Sequence, residues 1–528
     1  MPGRGTRRQM VVVVLGLAMM LGPIAGNAAM SAAQLRGKQI YLEGISPGGS
    51  EITAIVGTEG VALPASAVPC ASCHGPDGVG RPEGGVLPPD IRWDALTKTY
   101  GHVHEDGRRH PAFDTASLAL LLRTGVDPAD NRLDQAMPLY AMSESDMADL
   151  LAYLQQLEMD RDPGIGDDSI QVATLLPLQG PQGALGQAMA QVMHAHFTEV
   201  NDRGGIFGRR IELLAIPYGN SPEATLGNLR SALRQEGIFA LVGVYTVGLD
   251  DAVLELTREQ DVPLIGPFTL DPGNEIDNAA TFYLYPGFAD QARVLANVAL
   301  EDASDGNRSM VIAGPEGGRV DRLVNAVEEQ LGEGDVTDVL TVRYPAGELH
   351  TGDLARRMLE AGCEALFFFG DQAELDILLE VLAVQEVSPR VYLLSSFVPR
   401  PLFDAPPAFH YRIFLAYPTL GSDISAKGRS GYESLARTHA LPPDHLQGQI
   451  AAYAAARLLI EGARRTGRDL SRQGLVEALE ALYAYETGLT PPLTYGPNRR
   501  IGARGAHVVA VDLMKKTYTP VGGWHDVH

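Results

Sequence analysis

Hydrophobic positions fall into three regimes along the chain. Met10 to Leu21 is an unbroken apolar run. From residue 31 to about 158, apolar residues recur at helical spacing between long polar loops. From residue 169 onward, short apolar runs alternate with amphipathic stretches. In the middle regime the spacing predicts a helix over 31–44, with Leu35, Ile40 and Tyr41 on one side and Gly37 near its centre. A second helix over 143–158 opens on Ser143 with Asp146 three residues on, an N-cap pattern. Met147, Leu150, Leu151, Leu154 and Leu157 follow at helical intervals. A glycine inside a helix costs about 1 kcal/mol against alanine. Close approach of a second helix is one reason to keep it, and 143–158 is the expected partner. Residues 45–69 alternate around Gly57-Thr58-Glu59-Gly60, which suggests a hairpin.

The third regime reads as strand and helix in turn. Ile170–Leu176 is an apolar strand, followed by glycines at 180, 183 and 186 and a helix over about 187–200. Strands near 211–216, 239–244 and 262–266 alternate with helices bearing Leu226, Leu229 and Leu233, then 250–259. The pattern restarts with strands near 309–313, 365–369 and 391–395 and helices near 290–301, 319–331 and 371–384. This order argues for parallel, doubly wound sheets in two halves, hence two lobes with a cleft between them. Neither G-x-G-x-x-G nor G-x-x-x-x-G-K-[ST] occurs near 180–186, which disfavours a nucleotide loop.

At 528 residues the chain exceeds one ordinary domain. Residues 1–28 combine Arg4, Arg7 and Arg8, the apolar run, and small residues at Gly26-Asn27-Ala28, the anatomy of an export signal. The run is short for a membrane span, and no later stretch reaches 18 apolar residues. A soluble, exported chain is expected, located in the periplasm. The formal charge of −23 argues against nucleic acid and anionic membranes and for a partner with a basic docking patch. Of three cysteines, Cys363 sits in an apolar strand and reads as a buried, inert thiol. A disulfide framework is not available.

The other two cysteines carry the chemistry. Cys70-Ala71-Ser72-Cys73-His74 is C-x-x-C-H, the attachment sequence of a c-type haem. Two thiols would bond the haem edge, and His74 would supply the proximal nitrogen. A zinc site would need about four ligands, and a second CxxC is absent. One such motif implies one haem c, covalently attached. Arg81 is a candidate partner for a propionate, with plain solvation the equal alternative.

Gly37-x-x-Ile40-Tyr41, Cys70-x-x-Cys73-His74-Gly75 and Met137-Pro138-x-Tyr140 before a closing helix resemble class I cytochromes c. The resemblance covers residues 32–160 and implies an all-α domain with crossed terminal helices. It also implies Met137 as sixth iron ligand. Both axial positions would then be filled, which favours electron transfer over oxygen chemistry. His102, His104 and His110 are rivals to Met137, otherwise forming a solvated loop near the haem edge. The stretch 45–69 is longer than the family leads one to expect.

After a linker at 161–168, the chain from 169 to 528 resembles type I periplasmic solute-binding proteins. The residues that carry this are Pro177-Leu178-Gln179-Gly180, Asn201-x-x-Gly204-Gly205-Ile206-x-Gly208-Arg209, Val242-Gly243 and Val262-Pro263-Leu264-Ile265. The nearest branch is the leucine/isoleucine/valine and amide receptors of ABC transporters. The resemblance implies a two-lobe α/β clamp that closes on a small solute, with an ABC permease as a partner. Lobe one is expected at 169–286 and 418–485, lobe two at 287–417 and 486–528. Ligand candidates are Tyr245, Thr246, Phe268, Thr269, Tyr285 and Glu316. The hydroxyl cluster expected for an amino-acid carboxylate is thin, which opens the cleft to aromatic or less polar solutes or leaves it without a ligand. A nucleophile motif is not recognisable, Ser395-Ser396 included, so a catalytic site is not assigned. The expectation is a mono-haem electron-transfer protein joined to a solute clamp. The alternative is an uptake or sensing receptor with a redox-responsive haem.

Overall fold

The computed structural model describes residues 30–80, 87–104, 107–269, 271–272, 280–302, 309–334, 336 and 338–527. The expected export signal and Arg81 lie outside the described residues. The chain divides into two compact units, one ending at Arg161 and the other beginning at Asp162.

The first unit contains α1 (Ala32–Glu43), the hairpin β1 (Thr53–Val56) and β2 (Val61–Pro64), and α2 (Cys70–His74). Then come α3 (Trp93–Leu96), the short pair β3 (His102–Val103) and β4 (Arg109–His110), α4 (Thr115–Thr124), β5 (Leu139–Ala141) and α5 (Glu144–Leu154). Ser31 and Gln34 cap α1 reciprocally, and Gly44 ends it at φ 66°. Ser143 caps α5, with Glu144 and Asp146 in its first turn, where the helix dipole favours negative charge.

The two helices cross at Gly37. A Cβ there would lie 2.0 Å from the Asp149 carbonyl oxygen and 2.7 Å from Tyr153 Cβ. Only a hydrogen fits, and the backbones meet. The contact is fastened by Arg36, whose Nε and Nη2 donate to the two carboxylate oxygens of Asp149 at 2.6 and 2.8 Å. Ile40 and Tyr41 are buried as expected, but Leu35 is 56% exposed. Five residues at 100° each set Leu35 roughly 140° around the helix from Ile40, off the buried stripe. The expected hairpin forms antiparallel between β1 and β2, and β1 also pairs antiparallel with β5 far downstream, Thr53 opposite Ala141 and Ile55 opposite Leu139.

The second unit is built of two sheets. The first takes β6 (Ser169–Leu176), β7 (Arg210–Pro217), β8 (Ala240–Val242), β9 (Leu264–Ile265) and β10 (Thr281–Phe282). Its spatial order is β10-β9-β8-β6-β7, all parallel. Between them run α6 (Gly183–Asp202), α7 (Pro222–Gln235) and α8 (Asp250–Glu259).

After α9 (Phe288–Asp302) the second sheet begins with β11 (Met310–Pro315), α10 (Gly318–Glu333), β12 (Val339–Tyr344) and α11 (Thr351–Glu360). It continues through β13 (Ala365–Phe368), α12 (Gln372–Val384), β14 (Arg390–Leu394) and β15 (Ile413–Tyr417). The chain then returns to the first lobe for α13 (Ala426–Thr438), α14 (Leu446–Thr466) and α15 (Arg472–Glu480). It finishes in the second sheet with β16 (Gly505–Asp512) and β17 (Thr517–Asp526). The order is β12-β11-β13-β14-β15-β16-β17, with the last two strands antiparallel.

Both sheets therefore repeat one winding. The second strand lies outside the first, and the third lies on the other side. Each thus has a point where the winding reverses, between β6 and β8 and between β11 and β13. Two local readings change. Leu489, Leu493 and Tyr495, expected in the second lobe, pack in the core of the first. Tyr495 sits edge-on against Phe282 at 5.2 Å and donates its hydroxyl proton to the Tyr283 carbonyl. The stretch 162–168, expected as a linker, is anchored from its first residue: Asp162 accepts the Arg472 backbone N–H, and Ile165 is buried.

Candidate functional site

The haem-motif residues share one helical turn. In α2 the spacing i, i+3, i+4 places Cys70, Cys73 and His74 on neighbouring positions. Cys73 is exposed and Cys70 half-buried, with burial pushing the Cys70 thiol up to about 12. His74 is buried, and its Nδ1 lies 3.0 Å from the Pro89 carbonyl oxygen. A carbonyl can only accept, so Nδ1 carries the proton and Nε2 keeps the lone pair. Burial lowers the His74 pKa, keeping the ring neutral, and the Pro89 bond opposes this in part. This is the tautomer an iron ligand needs.

Two buried tyrosines brace the turn. Tyr41 Oη donates to the Gly75 carbonyl at 2.6 Å, and Tyr140 Oη donates to the Val68 carbonyl at 2.8 Å. Met137 packs half-buried on the same core as Cys70, in the loop leading to β5.

The three rival histidines do not form a solvated loop. His110 is 6% exposed and packs on Phe113. The rings of His102, His104 and His110 lie 5.0–5.8 Å apart. His110 Nδ1 faces the Pro111 carbonyl at 2.8 Å, so its Nε2 accepts the His104 Nε2–H at 2.9 Å. His102 Nε2 donates to the Ala95 carbonyl. The hairpin of β3 and β4 brings these imidazoles together and spends both nitrogens of His110 and the Nε2 of His102 and of His104 on one another and on the backbone. Among the described residues no group of three or more His, Cys, Asp or Glu is arranged to hold a metal ion.

The solute candidates separate into groups. Tyr245 follows β8, with its ring stacked on Phe268, which follows β9. Tyr245 Oη accepts from Gln182 Nε2 at 3.0 Å. Burial raises the Tyr245 pKa, so the phenol stays protonated. The Thr246 hydroxyl donates to Asp250 at 2.6 Å, and Thr269 Oγ1 accepts the Asp271 N–H at 3.0 Å. Tyr285 packs against the first-lobe core, its pKa raised by burial and by the Asp423 carboxylate.

Glu316 stands apart from these, on the rim of a cavity of about 510 Å³ formed by the residues after β11 and after β13. Arg319, Phe369 and Phe397 line the same cavity, and sequence reasoning missed all three. No motif marks them, since they come from three separate segments: the first turn of α10, the residue after β13 and the short turn after β14. Ser395 and Ser396 lie in a short 3-10 turn, and Cys363, half-buried, donates to the Ala365 carbonyl.

Two sheets wound alike, with carboxyl-end loops that carry aromatic and polar groups, define a two-lobed solute-binding fold. The family model for periplasmic binding proteins matches residues 169–517, and the chain belongs to that family. A second model, cytochrome c, matches residues 60–158, so the protein joins a cytochrome c domain to a periplasmic solute-binding domain. The cytochrome c domain implies a haem c cofactor.

Leu/Ile/Val-binding protein homolog 3 of Brucella melitensis is 23% identical over 206 residues, 39% of this chain and 55% of that protein. Leu/Ile/Val-binding protein BraC3 of Rhizobium johnstonii is 23% identical over 214 residues, 40% of this chain and 58% of that one. The chain thus spans a little over half the length of these curated relatives. Among solved structures, a fatty acid ABC transporter substrate-binding protein from Thermomonospora curvata has a TM-score of 0.52 at 15% identity, covering 70% of this chain and 95% of that one. A branched-chain amino acid ABC transporter protein from Thermus thermophilus with bound valine has a TM-score of 0.51 at 15% identity, covering 68% and 97%. These likenesses establish the fold, and they leave the solute open.

Proposed function

We propose that the chain is an exported, periplasmic electron-transfer protein in which one haem c is joined to a clamp for a small solute. The observation that carries this reading is the α2 turn, with two thiols beside a buried imidazole whose Nδ1–H is tied to Pro89. Cys70 and Cys73 would anchor the group covalently, and His74 Nε2 and Met137 Sδ would supply the protein's two iron ligands. The committed nitrogens of His102, His104 and His110 support Met137 over its rivals. A haem held this way supplies one-electron redox chemistry. The protein's own part is to keep His74 neutral and oriented, and to fill the sixth position so that small ligands are excluded. A single C-x-x-C-H supports one haem, and the net charge of −23 supports a redox partner with a basic face.

The test is the mass and spectrum of the chain matured with its haem. One haem should survive denaturation, and it should be lost in the Cys70→Ala, Cys73→Ala double variant. Met137→Ala should change the reduced spectrum and admit carbon monoxide, which the wild type should refuse. An unchanged spectrum in Met137→Ala refutes the axial assignment, and the absence of covalent haem refutes the reading as a whole.

A second reading is a receptor that delivers solute to an ABC permease or a sensor, with the haem responding to redox state. The breadth of the family match, residues 169–517, favours it. If solute and haem are coupled, the haem potential must shift on solute binding, because linkage is reciprocal. An unchanged potential at saturating solute would separate the two units functionally.

A further inference from the structure

In open α/β sheets, ligands bind outside the carboxyl ends of the strands where the winding reverses. Both lobes have such a point, and aromatic side chains line each. In the first lobe, the reversal between β6 and β8 is closed by Gln182 donating to Tyr245. Tyr245 stacks on Phe268 with ring centroids 5.6 Å apart and planes 13° from parallel. One of the two hydroxyls that would hold an amino-acid carboxylate here is already used. The Thr246 proton is spent on Asp250, and Thr269 accepts in its own turn.

In the second lobe, the reversal between β11 and β13 opens directly into the cavity of about 510 Å³. This size is ordinary for a small-molecule site. Phe369 and Phe397 form its walls, and Phe397 is set edge-on against Phe288 at 5.3 Å. The Arg319 guanidinium lies 6.0 Å over the Phe288 ring. Glu316 precedes it by three residues, so the two opposite charges share one rim. Gly317 sits at φ 140°, and a Cβ on Gly317 or Gly318 would meet nothing within 4 Å, so the backbone here borders open space.

We infer that the clamp takes a flat aromatic solute without an amino-acid headgroup. Its ring would be held between the Tyr245–Phe268 stack and the Phe369–Phe397 walls. This rests on the reading of the second unit as a solute clamp and names the class of solute. The chemistry follows from the donors present. Aromatic faces favour stacked and edge-on rings. The lining carries one guanidinium, Arg319, and two carboxylates, Glu316 and Asp371. Arg319 and Glu316 can neutralise each other, and Asp371 accepts the Glu374 N–H as the cap of α12, which leaves none of the three dedicated to an ammonium or a carboxylate.

The experiment is calorimetry on the full haem-bearing chain with benzoate, benzyl alcohol, phenylalanine, leucine, isoleucine and valine. The inference expects benzoate or benzyl alcohol to bind at least tenfold more tightly than any of the four amino acids. Phe397→Ala and Phe268→Ala should each weaken that binding roughly tenfold. Phe397→Tyr and Phe268→Tyr, which keep the ring, should retain it, separating ring contact from loss of fold. Tighter binding of leucine, valine, isoleucine or phenylalanine overturns the inference and leaves the clamp reading standing. Binding by none of the six overturns both. Binding indifferent to the alanine variants places the solute elsewhere and overturns the inference.

Discussion

Gly37→Ala is a sharp test of the crossing that organises the first unit. The new Cβ would lie 2.0 Å from the Asp149 carbonyl oxygen and 2.6 Å from its carbonyl carbon. These are backbone atoms, which cannot rotate away, so α1 and α5 must part by well over an ångström. A radial gap of about 0.5–1 Å already forfeits a quarter to a half of the dispersion attraction between facing atoms. Ile40, Tyr41 and Met147 lie in the same buried core and lose contacts with the separation. The paired Arg36–Asp149 hydrogen bonds are strained as well.

Overpacking typically costs about 1–3 kcal/mol, occasionally more. The clash here is with backbone, which places it at the upper end. Alanine recovers about 1 kcal/mol of helix propensity, for a net loss of about 2 kcal/mol. Chemical denaturation of the full chain, with amide hydrogen exchange read in α1 and α5, is the assay. Gly227→Ala in α7 is the internal control. That glycine is also inside a helix, but a Cβ there meets nothing within 4 Å. It should stabilise its unit by up to about 1 kcal/mol. If Gly37→Ala left exchange in α1 and α5 unchanged, or raised stability as Gly227→Ala should, the close crossing would be refuted.

Two further outcomes follow from buried polar groups. Arg472 donates to the carbonyls of Ile238, Phe239, Gln260 and Asp261 at 2.6–3.1 Å. Arg472→Met should cost the second unit about 3 kcal/mol or more, because buried carbonyls lose their donors; a urea midpoint within error of wild type would contradict this. Burial pushes the Asp127 carboxyl upward, but hydrogen bonds from Asn131, Ala129 and Arg108 outweigh it and hold the pKa below the ordinary value. A depressed folded pKa means that the stabilisation is full above the unfolded value, about 3.9. It is lost as pH falls through the folded pKa. Wild type should therefore exceed Asp127→Asn in stability at pH 6, and the gap should close as pH falls through the depressed folded pKa. A gap independent of pH would rule out the carboxylate as its source.

Much of the architecture was legible before any coordinates. Hydrophobic period located α1, α5 and most of the alternating elements. Cys70, Cys73 and His74 were legible because attachment chemistry requires a fixed covalent spacing. Where the reading slipped, the cause was tertiary. Leu35 is the exception, since the helical period alone sets it roughly 140° from Ile40 and off the buried stripe. His102, His104 and His110 read as polar loop residues, but the pairing of β3 and β4 brings the three rings together and sets His110 against Phe113. Thr246 looked available until its hydroxyl was found on Asp250. Arg319, Phe369 and Phe397 carried no signal, because a cavity wall drawn from three separate chain segments has no sequence period.

The sequence by itself determined the order of helices and strands, the attachment turn and the two family resemblances. Each of these depends on residues a few positions apart, whose geometry the backbone sets locally. The tertiary structure alone decided which His74 nitrogen is free, that β5 closes onto β1, and where the windings of the two sheets reverse. It also decided which hydroxyls remain for a solute. Those outcomes depend on hydrogen bonds and packing between residues far apart in the chain, and only the folded arrangement brings such residues within reach.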